Sequence, residues 1–156
     1  MIHDVLTDIA AALCVQIEMD GSPPVCFCGV VPGDSLTADV AGWCDDTCGV
    51  AWVRLIAATM VSGVGDANET AGNCGATVGF DVEVGILRCQ RIPEEDETLS
   101  AEEQTETARQ QAADVQTILR AICRSVDEKD YIIRDYAPMG PLGGLVGGAW
   151  SISTVL

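Results

Sequence analysis

Residues 26–48 read CFCGVVPGDSLTADVAGWCDDTC and hold four of the chain's eight cysteines, as Cys26-x-Cys28 and Cys44-x-x-x-Cys48. Paired thiols can bind a metal, close a disulfide, or serve as small apolar packing groups. A structural zinc ion needs four soft ligands converging as a tetrahedron, commonly from cysteines two residues apart. That gap is absent, and a regular strand would point Cys26 and Cys28 the same way about 7 Å apart. Zinc therefore fits poorly. A Cys44–Cys48 disulfide is open if the loop folds back, and it requires oxidising surroundings. The plain expectation is free cysteines packed as small hydrophobes.

Other chemistry is thinner. His3 is the only histidine and stands at the N-terminus, so no Ser-His-Asp or Cys-His pair can be assembled around it. The acid pairs Asp45–Asp46 and Glu94–Glu95 could hold a divalent cation or exchange protons, but they read more simply as solvated charge. The glycines of GPLGGLVGG lack the strand–turn–helix context and the lysine of a phosphate loop. No catalytic, metal-binding or cofactor-binding residue is assigned, no cofactor is expected, and the chain does not read as an enzyme.

The elements that would carry these residues form a simple order. Leu6, Ile9, Leu13 and Ile17 recur at helical spacing and predict a helix over 4–18, stopped by DGSPP. VCFCGVV (25–31) is a short extended run. GVAWVRLIAATMV (49–61) reads as a long strand covered on both faces. TVGFDVEVGILRC (77–89) alternates, with Phe80, Val82, Val84 and Ile86 inward and Asp81 and Glu83 toward solvent. The polar, glycine-rich 62–76 reads as an exposed loop. Ser100 and Glu103 form a capping box for a second, longer helix, with a stripe of Ala101, Ala108, Ala112, Val115, Leu119, Ile122 and Val126 facing the sheet. DYIIRDYAPMG (130–140) and GAWSISTVL (148–156) read as closing strands joined by a glycine-rich loop. The order α-β-β-β-α-β-β predicts one α+β domain over 1–156: a mixed, mainly antiparallel sheet of about five strands, packed by the two helices.

Composition limits the partners. The 156 residues carry 24 acids against eight Lys+Arg, a formal net charge of −16, with 48% apolar residues and a mean hydropathy of +0.25. Such a surface repels phosphate instead of gripping nucleic acid, although it suits a duct through which DNA slides without sticking. The first residues lack a basic leader, and Arg54 interrupts the most apolar window, so neither a signal peptide nor a membrane span is expected. The chain is expected to be made in a cytosol, where its thiols would stay reduced.

Four stretches, CGVAWVRL (48–55), FDVEVGILRC (80–89), the capped helix from Ser100, and GPLGGLVGGAWSIS (140–153), occur in this order. Together they resemble the tail terminator proteins of long-tailed actinobacterial phages. The resemblance implies a structural virion protein forming a homo-hexameric ring at the head–tail junction, assembled in the bacterial host cytoplasm. Such a ring caps the tail tube, stops its polymerisation, joins it to the head-side neck and lets genomic DNA pass without specific binding. Its partners would be five copies of itself, the major tail tube protein and the head–tail stopper, with no membrane involved. Loop residues Asp34, Trp43, Asp66 and Asn68, with Pro138, Met139, Leu142 and Leu145 near the C-terminus, would then contact neighbouring subunits, tube or neck. A head–tail stopper or tail completion protein is the nearest alternative, and a cysteine-dependent metal-binding module the more distant one.

Overall fold

A computed structural model of the chain describes residues 2–33, 49–61, 77–125, 131–142 and 144–155. Their order is α1 (Ile2–Met19), β1 (Val25–Val30), β2 (Gly49–Val61), β3 (Thr77–Cys89), α2 (Ala101–Ser125), β4 (Tyr131–Leu142) and β5 (Leu145–Val155). The strands make one five-stranded sheet in the order β1-β2-β3-β5-β4. β1 and β2 run parallel, and every other neighbouring pair is antiparallel. The α+β class and the α-β-β-β-α-β-β order match the expectation.

Both helices cover one face of the sheet. Leu6, Ile9, Leu13 and Ile17 of α1 are all buried, as their spacing requires. With Ile118 and Ile122 of α2 they pack over Ala51, Val53, Val82, Val84, Ile86 and Ile152. Each such side chain contributes about 1.5–3 kcal/mol by leaving water, so this layer holds the helices to the strands. Asp20, just past α1, fastens the helices to each other. It accepts hydrogen bonds from Thr117 Oγ1 (2.7 Å) and from Arg120 (3.0 Å).

The opposite face has its own apolar cluster of Val50, Trp52, Leu87, Leu145 and Ala149. Trp52 is fully buried because its cross-strand partner is Gly85. A Cβ on Gly85 would lie 2.3 Å from the indole. The expectation that β2 is covered on both faces therefore holds over its first half.

Three expectations are corrected. The inward stripe of α2 is not the alanine-rich one, since Ala101, Ala108 and Ala112 are exposed. Of the expected stripe Ile122 is buried and Val115 and Leu119 are half-buried, while Val126 lies outside the described residues; Asp114, Thr117, Ile118 and Ala121 complete the buried face. The reason is polar: this part of α2 lies over the Arg88 guanidinium and the β5 backbone, where Gln111 donates to the Gly147 carbonyl. Glu83 does not face solvent; it is buried against Arg54 at 2.8 Å, directly across the β2–β3 ladder. Finally, residues 138–148 are not a reaching loop. β4 continues to Leu142 and β5 begins at Leu145, so the segment is mostly paired strand. Gly147 and Gly148 serve close packing there: a Cβ would meet the Ile86 carbonyl at 2.0 Å or the Tyr136 hydroxyl at 2.4 Å.

Candidate functional site

Sulfur comes first. Packing of α1 against β1 brings the Cα atoms of Cys14 and Cys28 to 5.8 Å, and the two are joined by a disulfide. Cys26 and Cys89 are disulfide-bonded as well, while Cys123 is free and exposed. This corrects the expectation of reduced thiols acting as packing groups. The same-face geometry assumed for Cys26 and Cys28 also fails. The β1–β2 register shifts between Val25 and Phe27. As a result Val25 and Cys28, three apart, both pack on the helix-side core, while Phe27 packs on the other. The Cys44–Cys48 pair lies outside the described residues. Among the described residues no group of three or more His, Cys, Asp or Glu could hold a metal ion.

A cleft of about 270 Å³ lies between α2 and the sheet, lined by Arg88, Glu106, Gln110 and Gln111 among others. Arg88 donates through Nε and NH2 to the two oxygens of Asp114, at 3.0 and 2.8 Å. Its NH1 points at the Pro23 and Pro24 carbonyls. With these nitrogens engaged by the fold, the guanidinium is a joint between β3, α2 and the α1–β1 turn, not a ligand receptor. On the rim Glu106 pairs with Arg109.

A second polar group crosses the face away from the helices. Trp52 Nε1 donates to Glu83 Oε1 at 3.0 Å, the same oxygen that meets Arg54. One row further along, Arg134 Nε donates to Ser153 Oγ (2.6 Å), and Ser153 donates to Asp81 (2.5 Å). Ser153 has no histidine or lysine beside it in this chain of contacts. The row joins strands through charge-assisted hydrogen bonds and has no activated nucleophile.

No family model matches this chain, and no curated protein matches it. The site must therefore be read from its own geometry.

That geometry favours surfaces over a pocket. The sheet has two unlike edges: six-residue β1 on one side and twelve-residue β4 on the other. At one end of the sheet Met60, Ile132 and Val155 are 63%, 60% and 44% exposed. Their rows lie close together, since Gly79 pairs with Thr59 and Val155, and Ser153 with Ile132. The segment leaving the opposite end of β3 is acidic, with Glu94, Glu95, Asp96 and Glu97 exposed.

The residues expected at an interface are scattered by the fold. Asp34, Trp43, Asp66 and Asn68 lie outside the described residues. Pro138 is exposed on β4 and Met139 is half-buried against the Trp52 cluster. Leu142 pairs with Leu145 where the hairpin closes. Leu145 is buried core, so it supports the turn and offers no contact of its own. Sequence reasoning missed Ile132, Met60 and Val155.

Proposed function

We propose that the chain is a non-enzymatic building block of a ring, acting as the tail terminator of a long-tailed phage. The observation that carries this reading is that, among the described residues, the sheet ends in two dissimilar edge strands, β1 and β4, on opposite sides. A head-to-tail ring joins two different surfaces of identical subunits, and unlike edges supply such a pair. A net charge of −16 per subunit suits a collar that lets DNA pass without adhering. The metal-module reading loses support because Cys14, Cys26, Cys28 and Cys89 are consumed by disulfides and are not thiolates.

Native mass spectrometry of the purified chain, alone and with tail tubes, tests the ring: six times the 16.4 kDa chain is expected on the tube end. Particles lacking the protein should carry tails of uncontrolled length. Tails of normal length with DNA leaking from filled heads would assign it to the stopper layer instead. A monomer in finished particles would sink the reading.

A further inference from the structure

The Cys14–Cys28 bridge falls on a short edge strand. None of the six residues of β1 is buried, and among the described residues β1 has one hydrogen-bonded neighbour, β2. β3, between two neighbours, is buried from Val82 to Arg88 without a break. The β1–β2 pairing is parallel and its register breaks at Cys26, both of which weaken a ladder. Segments with few buried contacts open locally at low cost.

The two ends of β1 are held by different means. At the Pro23–Pro24 end the anchor is Arg88, itself fixed by buried Asp114, and Gly49 N–H donates to the Pro24 carbonyl at 3.3 Å. None of those contacts involves sulfur. Toward the other end, Cys28 is bonded to Cys14 of α1; beyond it the β1–β2 ladder runs through Gly29 and Val30, and Val31 N–H donates to Val53 O at 3.0 Å.

We propose that the Cys14–Cys28 bridge is a redox latch on the edge strand. Closed, it clamps β1 to α1 and covers the edge of β2. Open, it releases the Cys28 end of β1 while the Pro23–Pro24 end stays fixed as a pivot. Opening is thiol–disulfide exchange with a low-molecular-weight thiol. One thiolate attacks a bridge sulfur, giving a mixed disulfide and freeing one cysteine; a second thiolate attacks the external sulfur of that mixed disulfide and frees the other cysteine. Two R–SH become one R–S–S–R, and Cys14 and Cys28 each end as a thiol. The reverse reaction, with R–S–S–R as oxidant, closes the latch. With β1 released, the N–H and C=O groups of Val50–Val53 become available to an added strand. This inference does not depend on the ring.

Hydrogen exchange of the full chain, read by mass spectrometry with and without dithiothreitol, tests the latch. The Cys14→Ser/Cys28→Ser double variant without reductant isolates this bridge from the linkages of Cys26 and Cys89. Exchange at least about ten-fold faster over residues 28–30 is expected in both samples, with β3 and β5 unchanged, since local opening leaves the rest protected. Unaltered protection of β1 in both would overturn the proposal. So would loosening by reductant but not in the variant, which would assign the hold to another bridge. Loss of protection across β3 and β5, or of the far-UV circular dichroism signal, would also overturn it by making the bridge a staple for the whole fold.

Discussion

Arg88 and Asp114, 26 residues apart in sequence, meet as a two-pronged ion pair with side chains only 10% and 1% exposed. Gln110 donates to the same carboxylate at 3.1 Å. Removing one member strands a buried charge, which costs about 3–5 kcal/mol. Asp114→Ala is expected to lower the stability measured by urea unfolding by that amount. A loss below about 1 kcal/mol, the scale of a surface pair, would mean the site is wetter than its burial indicates.

Arg54 and Glu83 give a contrasting case, a buried pair set directly across two neighbouring strands. Glu83→Ala leaves Arg54 buried and takes away the acceptor of the Trp52 N–H, for a loss of about 3–5 kcal/mol. The paired change Arg54→Met/Glu83→Met removes both charges together and is expected to be far milder. Unfolding midpoints of the single and double variants decide it. A double variant as damaged as the single would show that geometry, not charge balance, matters here.

Gly85→Ala is expected to be costly for its size. The added methyl would sit 2.3 Å from the Trp52 ring, which is itself fully buried. Overpacking of this kind costs about 1–3 kcal/mol. Thermal unfolding of Gly85→Ala beside Gly21→Ala, whose Cβ would meet nothing within 4 Å but whose φ is +62°, separates crowding from backbone strain.

Glu103 should report on the start of α2 as pH falls. Hydrogen bonds from Arg91, and then from the Ser100 amide and hydroxyl, lower its pKa from 4.5 to about 2. A carboxylate with a depressed folded-state pKa contributes stability above its unfolded value and loses it as pH falls through the folded one. That contribution is therefore present above about pH 4.5 and fades toward pH 2. The side-chain carboxyl resonance of Glu103 should titrate near 2 in the native chain and shift upward in Arg91→Gln.

If β4 is a contact edge of the ring, Ile132→Lys should weaken assembly without harming the fold, since the side chain is 60% exposed. Circular dichroism would stay unchanged while native mass spectrometry shows the 16.4 kDa species gaining at the expense of the ring. An undiminished ring would remove β4 from the contact.

Most of the architecture was legible because its signals are periodic. Leu6, Ile9, Leu13 and Ile17 mark α1, Val82, Val84 and Ile86 mark β3, and Ser100 with Glu103 makes the reciprocal cap that their spacing promised, at 2.8 and 3.1 Å. What escaped were features that need two distant partners. Arg54 read as an interruption and Glu83 as a solvent residue, because each finds its reason in the other. The front part of α2's inner face was misplaced because Gln110, Gln111 and Asp114 look like surface residues until Arg88 is set beneath them. Gly147 and Gly148 suggested a loop, yet they are small so that strands can approach. Cys14 was overlooked because nothing in a helix marks a cysteine whose partner is 14 residues away.

Trp52 and Trp150 sit on opposite sides of one sheet. Trp52 is sealed against Gly85, while Trp150 donates to the Val115 carbonyl of α2 at 3.1 Å and meets the Tyr136 ring edge-on. The molecule thus carries its own pair of optical gauges. In a Trp43→Phe background, emission from one indole reports the seating of the long helix, and emission from the other the integrity of the layer beneath the strands.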